Sequence, residues 1–104
     1  MVGTALKKTF EAIDESFYTK HKKDFAEKCG TTACIVLIFG RHVFCANIGD
    51  SRAVLSHNGE AINLSHDHKA SRAHEVARIE QNNGLVQFVR VGATLAVTRA
   101  FGDF

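Results

Sequence analysis

Along the first thirty residues, apolar side chains recur at helical spacing. Leu6, Phe10, Ile13 and Phe17 follow at intervals of four, three and four, which stacks them on one helix face. Phe25 extends that face, while Lys7, Lys8, Glu11, Glu15, Lys20, Lys22 and Lys23 fall largely on the other side. The pattern predicts a helix over about 4–28, with Thr4 at its start and Gly30 as its stop. From Thr31 the period changes. Ala33–Phe39 is an unbroken apolar run rich in β-branched residues, the pattern of a strand buried on both faces. Gly40-Arg41 turns the chain into a second strand, His42 to Ile48. A third strand begins at Ala53–Leu55, and Asn58-Gly59 is a strong two-residue hairpin signal returning through Glu60–Leu64. Antiparallel strands are thus expected over about 32–64, paired in succession as a meander. A second helix follows over about 71–83. Ser71 is its candidate cap, Ala73, Val76, Ala77 and Ile79 form its apolar face, and Asn82-Asn83-Gly84 ends it. Leu85–Val91 reads as another strand, and strands with a terminal Gly-Asp turn are expected over about 85–104. The order describes an α+β arrangement, with helices packed on antiparallel sheet.

Composition narrows the classes. The 104 residues are 45% hydrophobic, 23% charged and 9% aromatic, which excludes disorder, collagen and coiled coil. Net charge is +2 from 13 basic and 11 acidic residues, so neither nucleic acid nor a membrane surface is expected as a partner. The lysines of the first helix are interleaved with Glu11, Asp14, Glu15, Asp24 and Glu27, which makes them a solvated face. The longest apolar run is Ala33–Phe39, far short of a span, and no signal-peptide pattern follows Met1. Cys29, Cys34 and Cys45 lack Cys-x-x-Cys spacing and read as small buried hydrophobes. A reduced intracellular compartment, cytoplasmic or nuclear, is the expectation. Proline is absent, where average usage gives about five.

Chemistry concentrates in Asn47-Ile48-Gly49-Asp50-Ser51-Arg52. A glycine beside a carboxylate between two strands turns tightly and leaves the acid at a sheet end. Such oxygen donors suit Mg²⁺ or Mn²⁺; the commoner role is an aspartate bonding its own turn. Gly49-Asp50-Ser51 resembles the start of the Gly-Asp-Ser-Leu esterases, but a strand follows Ser51 and no Asp-x-x-His occurs later. Cys45 to Arg52 resembles a cysteine-phosphatase loop, but six residues separate the pair and no helix follows. His66, His68 and His74 form a candidate Zn²⁺ cluster, against which stands the frequency of Asp and His as loop tethers.

Four blocks together carry a resemblance. They are Gly30-Thr31-Thr32-Ala33; Ala46 to Arg52; Leu64-Ser65-His66-Asp67-His68-Lys69, with Glu75 and Arg78-Ile79 on the next helix; and Leu95 to Asp103. In this order they resemble the protein phosphatase 2C family, the metal-dependent PPM-type serine/threonine phosphatases. The resemblance implies a four-layer fold, an antiparallel β-sandwich flanked by α-helices, only partly present in this chain. It implies a binuclear Mg²⁺ or Mn²⁺ centre whose bridging water attacks phosphoserine or phosphothreonine in phosphoprotein substrates. The family's core metal ligands lie in an early Asp-Gly-His-Gly element and in later Asp-Gly and Asp-Asn elements, none of which occurs in residues 1–104. Asp50 alone maps to a metal position, the family's weaker third ion; no catalytic residue maps. Ala70 replaces the usual proline after Asp-His-Lys.

The expectation is therefore a central fragment of a phosphatase domain, inactive by itself. Its sheet edges and apolar faces would be exposed, with self-association and poor solubility as consequences. The alternative is a catalytically inactive pseudophosphatase or protein-binding module on the same scaffold.

Overall fold

A computed structural model describes residues 1–24 and 28–104. The amphipathic segment forms α1, Val2–His21, with Met1 as its cap and no side-chain capping bond. Thr4 therefore lies inside the first turn. The helix stops at His21, short of residue 28, and Lys20 in its last turn places a cation near the negative helix end. The Asp24 N–H then bonds the His21 carbonyl at 3.0 Å in a tighter turn. The expected role of Phe25 lies outside the described residues.

The described strands are β1 (Gly30–Thr31), β2 (Ala33–Phe39), β3 (His42–Ile48), β4 (Val54–His57), β5 (Glu60–Asn63), β6 (Val86–Gln87), β7 (Arg90–Val91) and β8 (Phe101–Gly102). A second helix, α2 (Ala73–Gln81), stands between β5 and β6. β2 and β3 pair antiparallel from Ala33↔Ile48 to Phe39↔His42. Their loop has Gly40 at φ 60°, as a type II′ turn requires at its first position. β4 and β5 pair around Asn58 and Gly59, both at positive φ, as the dipeptide predicts.

Mixed helix and antiparallel strand is thus present, but the meander is not. The strands form four separate two-stranded sheets, β1–β8, β2–β3, β4–β5 and β6–β7. β3 and β4 do not pair, because the segment between them is bonded to residues 65–68 and carries the chain away from β3. Leu85–Val91 is likewise a tight hairpin rather than one strand. Phe88 and Val89 form its turn at φ 53° and 58°. Neither is glycine or asparagine, so the sequence held no turn signal there.

α2 begins one residue later than Ser71 allows. Its cap is Arg72, which makes no side-chain capping bond. Its end follows the pattern closely. Asn83 sits at φ 63°, the Gly84 N–H reaches the Ile79 carbonyl at 2.9 Å, and the Asn83 N–H reaches Glu80 at 3.1 Å. These two bonds make a Schellman motif with asparagine in the left-handed position.

α1 lies against β3 and β8. Phe10 stacks on Phe101 with ring centroids 5.1 Å apart, and the Gly102 N–H donates to Asp14 Oδ1 at 2.8 Å. The apolar interior is thin: among the described residues, Ala70 and Ile79 are the buried hydrophobic ones. β2 is not buried on both faces as its composition predicts. Ile35 to Phe39 are all exposed, Ile38 at 72% and Phe39 at 66%, because no described element packs against that half of the hairpin. The accessible surface is 7572 Å² for an 11.4 kDa chain, where a close-packed monomer of that mass shows about 5,800 Å². The radius of gyration, 15.4 Å, likewise exceeds the roughly 13 Å of a compact domain this long. No described helix is long and apolar enough to cross a membrane.

Candidate functional site

Three segments distant in sequence meet at one end of the molecule: the loop after β3, the stretch 65–69 before α2, and Thr98–Arg99. The first bend depends on glycine. Gly49 has φ 100°, and a Cβ there would strike the Thr32 side chain. Its N–H donates to His68 Nδ1 at 3.0 Å, and its carbonyl accepts from the His68 N–H at 2.9 Å. The Asn47 amide also donates to the Gly49 and His66 carbonyls, each at 3.2 Å. Further along, the Ala53 N–H bonds Ser65 Oγ at 3.0 Å, and Ser51 Oγ lies 2.8 Å from Thr32 Oγ1. The loop is therefore fixed by backbone and side chain together.

His68 accepts at Nδ1, which places its ring proton on Nε2. Burial pushes its pKa down, and the nearby Arg99 charge pushes the same way, so the neutral ring that this bond needs is favoured. Its carbonyl accepts the Thr98 N–H at 2.9 Å, joining the third segment to the latch.

Arg52 forks onto Asp67, with Nε to Oδ1 and Nη2 to Oδ2 both at 2.9 Å. That bidentate bond holds the Asp67 carboxyl below its usual range. Lys69 Nζ lies 3.8 Å from Asp67 Oδ2 and also 3.8 Å from Asp50 Oδ2. Asp50 itself is exposed at the loop's tip.

Beneath the loop lies Glu75, 1% exposed on the inner face of α2. Oε2 accepts from Thr98 Oγ1 at 2.9 Å, Arg99 Nε at 3.1 Å and Arg78 at 3.1 Å, while Oε1 accepts from Arg99 at 2.7 Å. Arg78 also reaches the Thr98 carbonyl at 2.9 Å. Burial alone would raise the Glu75 pKa, but the bonds from Arg99, Thr98 and Arg78 outweigh it and hold the pKa at about 2. The hub was only half visible in the sequence. Glu75 and Ile79, one helical turn apart, share the buried face of α2. That pairing marks Glu75 as inward-facing, but its partner Arg99 stands 24 residues away.

The structure brings together Asp50, Asp67, His68 and Lys69 but not the candidate Zn²⁺ cluster of His66, His68 and His74, the alternative to which is a loop-tethering role. The His68 ring is engaged by Gly49, and His74 lies beside Glu75 at 3.7 Å. Among the described residues, no three of His, Cys, Asp or Glu converge to hold a metal ion. Asp50 fits a narrower role. It is an exposed hard-oxygen donor on a pinned loop, suited to one carboxylate contact with a largely hydrated divalent ion.

These linked segments are the parts of a known family. The model of protein phosphatase 2C matches residues 1–104, and the chain belongs to that family. It is 40% identical over 102 residues to "Probable protein phosphatase 2C 76" of Arabidopsis thaliana, covering 95% of this chain and 24% of that protein. It is 41% identical over 102 residues to "Probable protein phosphatase 2C member 13, mitochondrial" of Oryza sativa subsp. japonica, covering 95% of this chain and 28% of the relative. A Caenorhabditis elegans protein, "Probable protein phosphatase 2C T23F11.1", is 46% identical over 101 residues, covering 96% and 28%. The chain thus spans only 24 to 28% of the length of these relatives.

Proposed function

We propose that the chain is the middle of a metal-dependent phosphatase domain that hydrolyses phosphoserine and phosphothreonine in phosphoproteins. The observation that carries this reading is the family match across residues 1–104, joined to a loop that presents Asp50 from a rigid latch. In such a domain bound Mg²⁺ or Mn²⁺ would supply a lowered pKa for a water molecule and compensation of phosphate charge. The residues of this chain contribute Asp50 to one outer ion, while the Arg52–Asp67 fork and the His68–Gly49 bonds keep that carboxylate in place. No hydrolytic step is assigned to residues 1–104, because a dinuclear centre needs several convergent ligands and the described residues bring no such group together.

The finer architecture belongs to the same proposal. In the whole domain, β2–β3 and β4–β5 join further strands in two stacked antiparallel sheets with helices outside, forming a single partial domain over 1–104. The apolar residues exposed on both faces of β2 support this reading, since such a run normally lies inside a sheet. In the isolated chain the same edges promote self-association. Its cysteines are free, in keeping with a reduced intracellular compartment.

The test is a phosphatase assay with Mn²⁺ and a phosphothreonine peptide. The product of the natural transcript is expected to turn over substrate and to lose rate in Asp50→Ala; the 104-residue chain is expected to be silent. Turnover by the short chain that survives repurification and disappears in Asp50→Ala overturns its assigned inactivity. A silent natural product that stays monodisperse and binds partners without metal favours the second reading, a pseudophosphatase scaffold.

A further inference from the structure

We propose that Lys69 is a tethered counter-cation that sets how tightly the Asp50 carboxylate takes a divalent metal ion; this rests on the reading of Asp50 given above. Two carboxylates face the Lys69 ammonium at equal distance, Asp50 Oδ2 and Asp67 Oδ2, each 3.8 Å away. They are not equivalent. Asp67 already has both oxygens bonded to Arg52 at 2.9 Å, so its charge is compensated. Among the described residues, the ion pair of Asp50 is with Lys69 alone. The lysine's charge is shared between the two carboxylates, and at Asp50 it meets one with no second ion-pair partner among the described residues.

The backbone keeps it there. Lys69 directly follows His68, whose N–H and ring are both bonded to Gly49, next to Asp50. Behind it Ala70 is buried. The side chain thus starts from a fixed point within reach of the carboxylate. Lysine is a compact, strongly hydrated point charge with no fork to lock it in place. It neutralises Asp50 while leaving the oxygens open to exchange.

An ammonium and a divalent ion compete for the same carboxylate. Even when both are nearby, a unit charge and a divalent ion ~5 Å apart in a water-like dielectric repel by an amount worth roughly tenfold in affinity. That repulsion is screened over ~10 Å at 0.1 M salt and over ~3 Å at 1 M. The competition should therefore be strong in dilute buffer and nearly absent in concentrated salt. In effect, Lys69 makes the Asp50 position respond to ionic conditions as well as to metal concentration.

The test uses Mn²⁺ alone on the ¹⁵N-labelled 104-residue chain. Free Mn²⁺ is counted by electron paramagnetic resonance, and bound Mn²⁺ is located by line broadening of backbone amides. Overlay of the undisturbed amide signals shows that each variant is folded. Lys69→Gln is expected to tighten Mn²⁺ binding roughly five- to tenfold at low salt, with broadening centred on Asp50 and Ser51. Lys69→Arg, which keeps the charge, should stay within about twofold of the parent, and the Lys69→Gln gain should fall below about twofold in 1 M KCl. Equal affinities for parent and Lys69→Gln, with broadening still at Asp50, overturn the role of Lys69 and leave Asp50 as a ligand. Broadening absent from Asp50 in every variant overturns both.

Discussion

The two ends of the β2–β3 hairpin obey different physics. At the Ile48 end, the chain runs into a loop whose backbone is bonded to His68 and Ser65, with the Asn47 side chain donating to the His66 carbonyl, above a buried glutamate with two arginine partners. At the Phe39 end, seven-residue strands continue in regular register with their apolar side chains in water. The first region is polar and rigid, and the second is apolar and uncovered.

The largest effect is expected at the hub. Glu75→Ala leaves Arg78, Arg99 and Thr98 without their shared acceptor and should destabilise the chain by about 3–5 kcal/mol, read as a lower urea midpoint. Acid sharpens the same point. The folded Glu75 pKa of about 2 lies below the unfolded value of about 4.3, so its contribution is complete above the unfolded value and is lost as pH falls through the folded one. The shift corresponds to roughly 3 kcal/mol, which should disappear from stability measured between about pH 5 and pH 2, and should be missing from the pH profile of Glu75→Gln.

Gly49→Ala is next. It forces a side chain into φ 100° and against Thr32, so a loss of about 1–3 kcal/mol is expected, with the amide signals of residues 47–53 shifting most. A milder acid step should come from His68. Its folded pKa is lowered, so its contribution holds above about pH 6.5, the unfolded value, and fades as pH falls through the lower folded one. A protection factor at the Gly49 amide that drops as pH falls below the unfolded value, with α2 still protected, would show the latch opening ahead of the hub. The smallest change belongs to the exposed end. Ile38→Thr should move stability by less than about 0.5 kcal/mol while reducing aggregation in light scattering. A large stability loss there would mean that the bare hairpin end is packed in solution.

The same division explains what could be read from sequence. The boundaries of β2 and β3, the Gly40-Arg41 turn, the Asn58-Gly59 hairpin and the end of α2 are local matters of side-chain shape and backbone preference, and all were legible. Asp50 on a turn between strands was legible for the same reason. The separation of β3 from β4 was not, because it depends on bonds between Gly49–Ala53 and Ser65–His68 that no local pattern records. The bond between Arg99 and Glu75 was not legible either, because the two lie 24 residues apart on different elements. The Phe88-Val89 turn lacks the usual turn residues. Phe88 is 87% exposed and Val89 60%, so packing does not account for the turn either.

The bond from Gly102 to Asp14 has a consequence for the order of assembly. It joins residues 88 apart, whereas the Gly49–His68 latch joins residues 19 apart. By loop-closure entropy the longer connection costs about 1.4 kcal/mol more to close, before any contact rewards it. The latch is therefore expected to form early, with α1 docking onto β8 as the last step and its release as the first step of unfolding. In a pulse-labelling experiment, amides around His68 should be protected before those of β8. A chain without α1 would still be able to assemble the loop that holds Asp50.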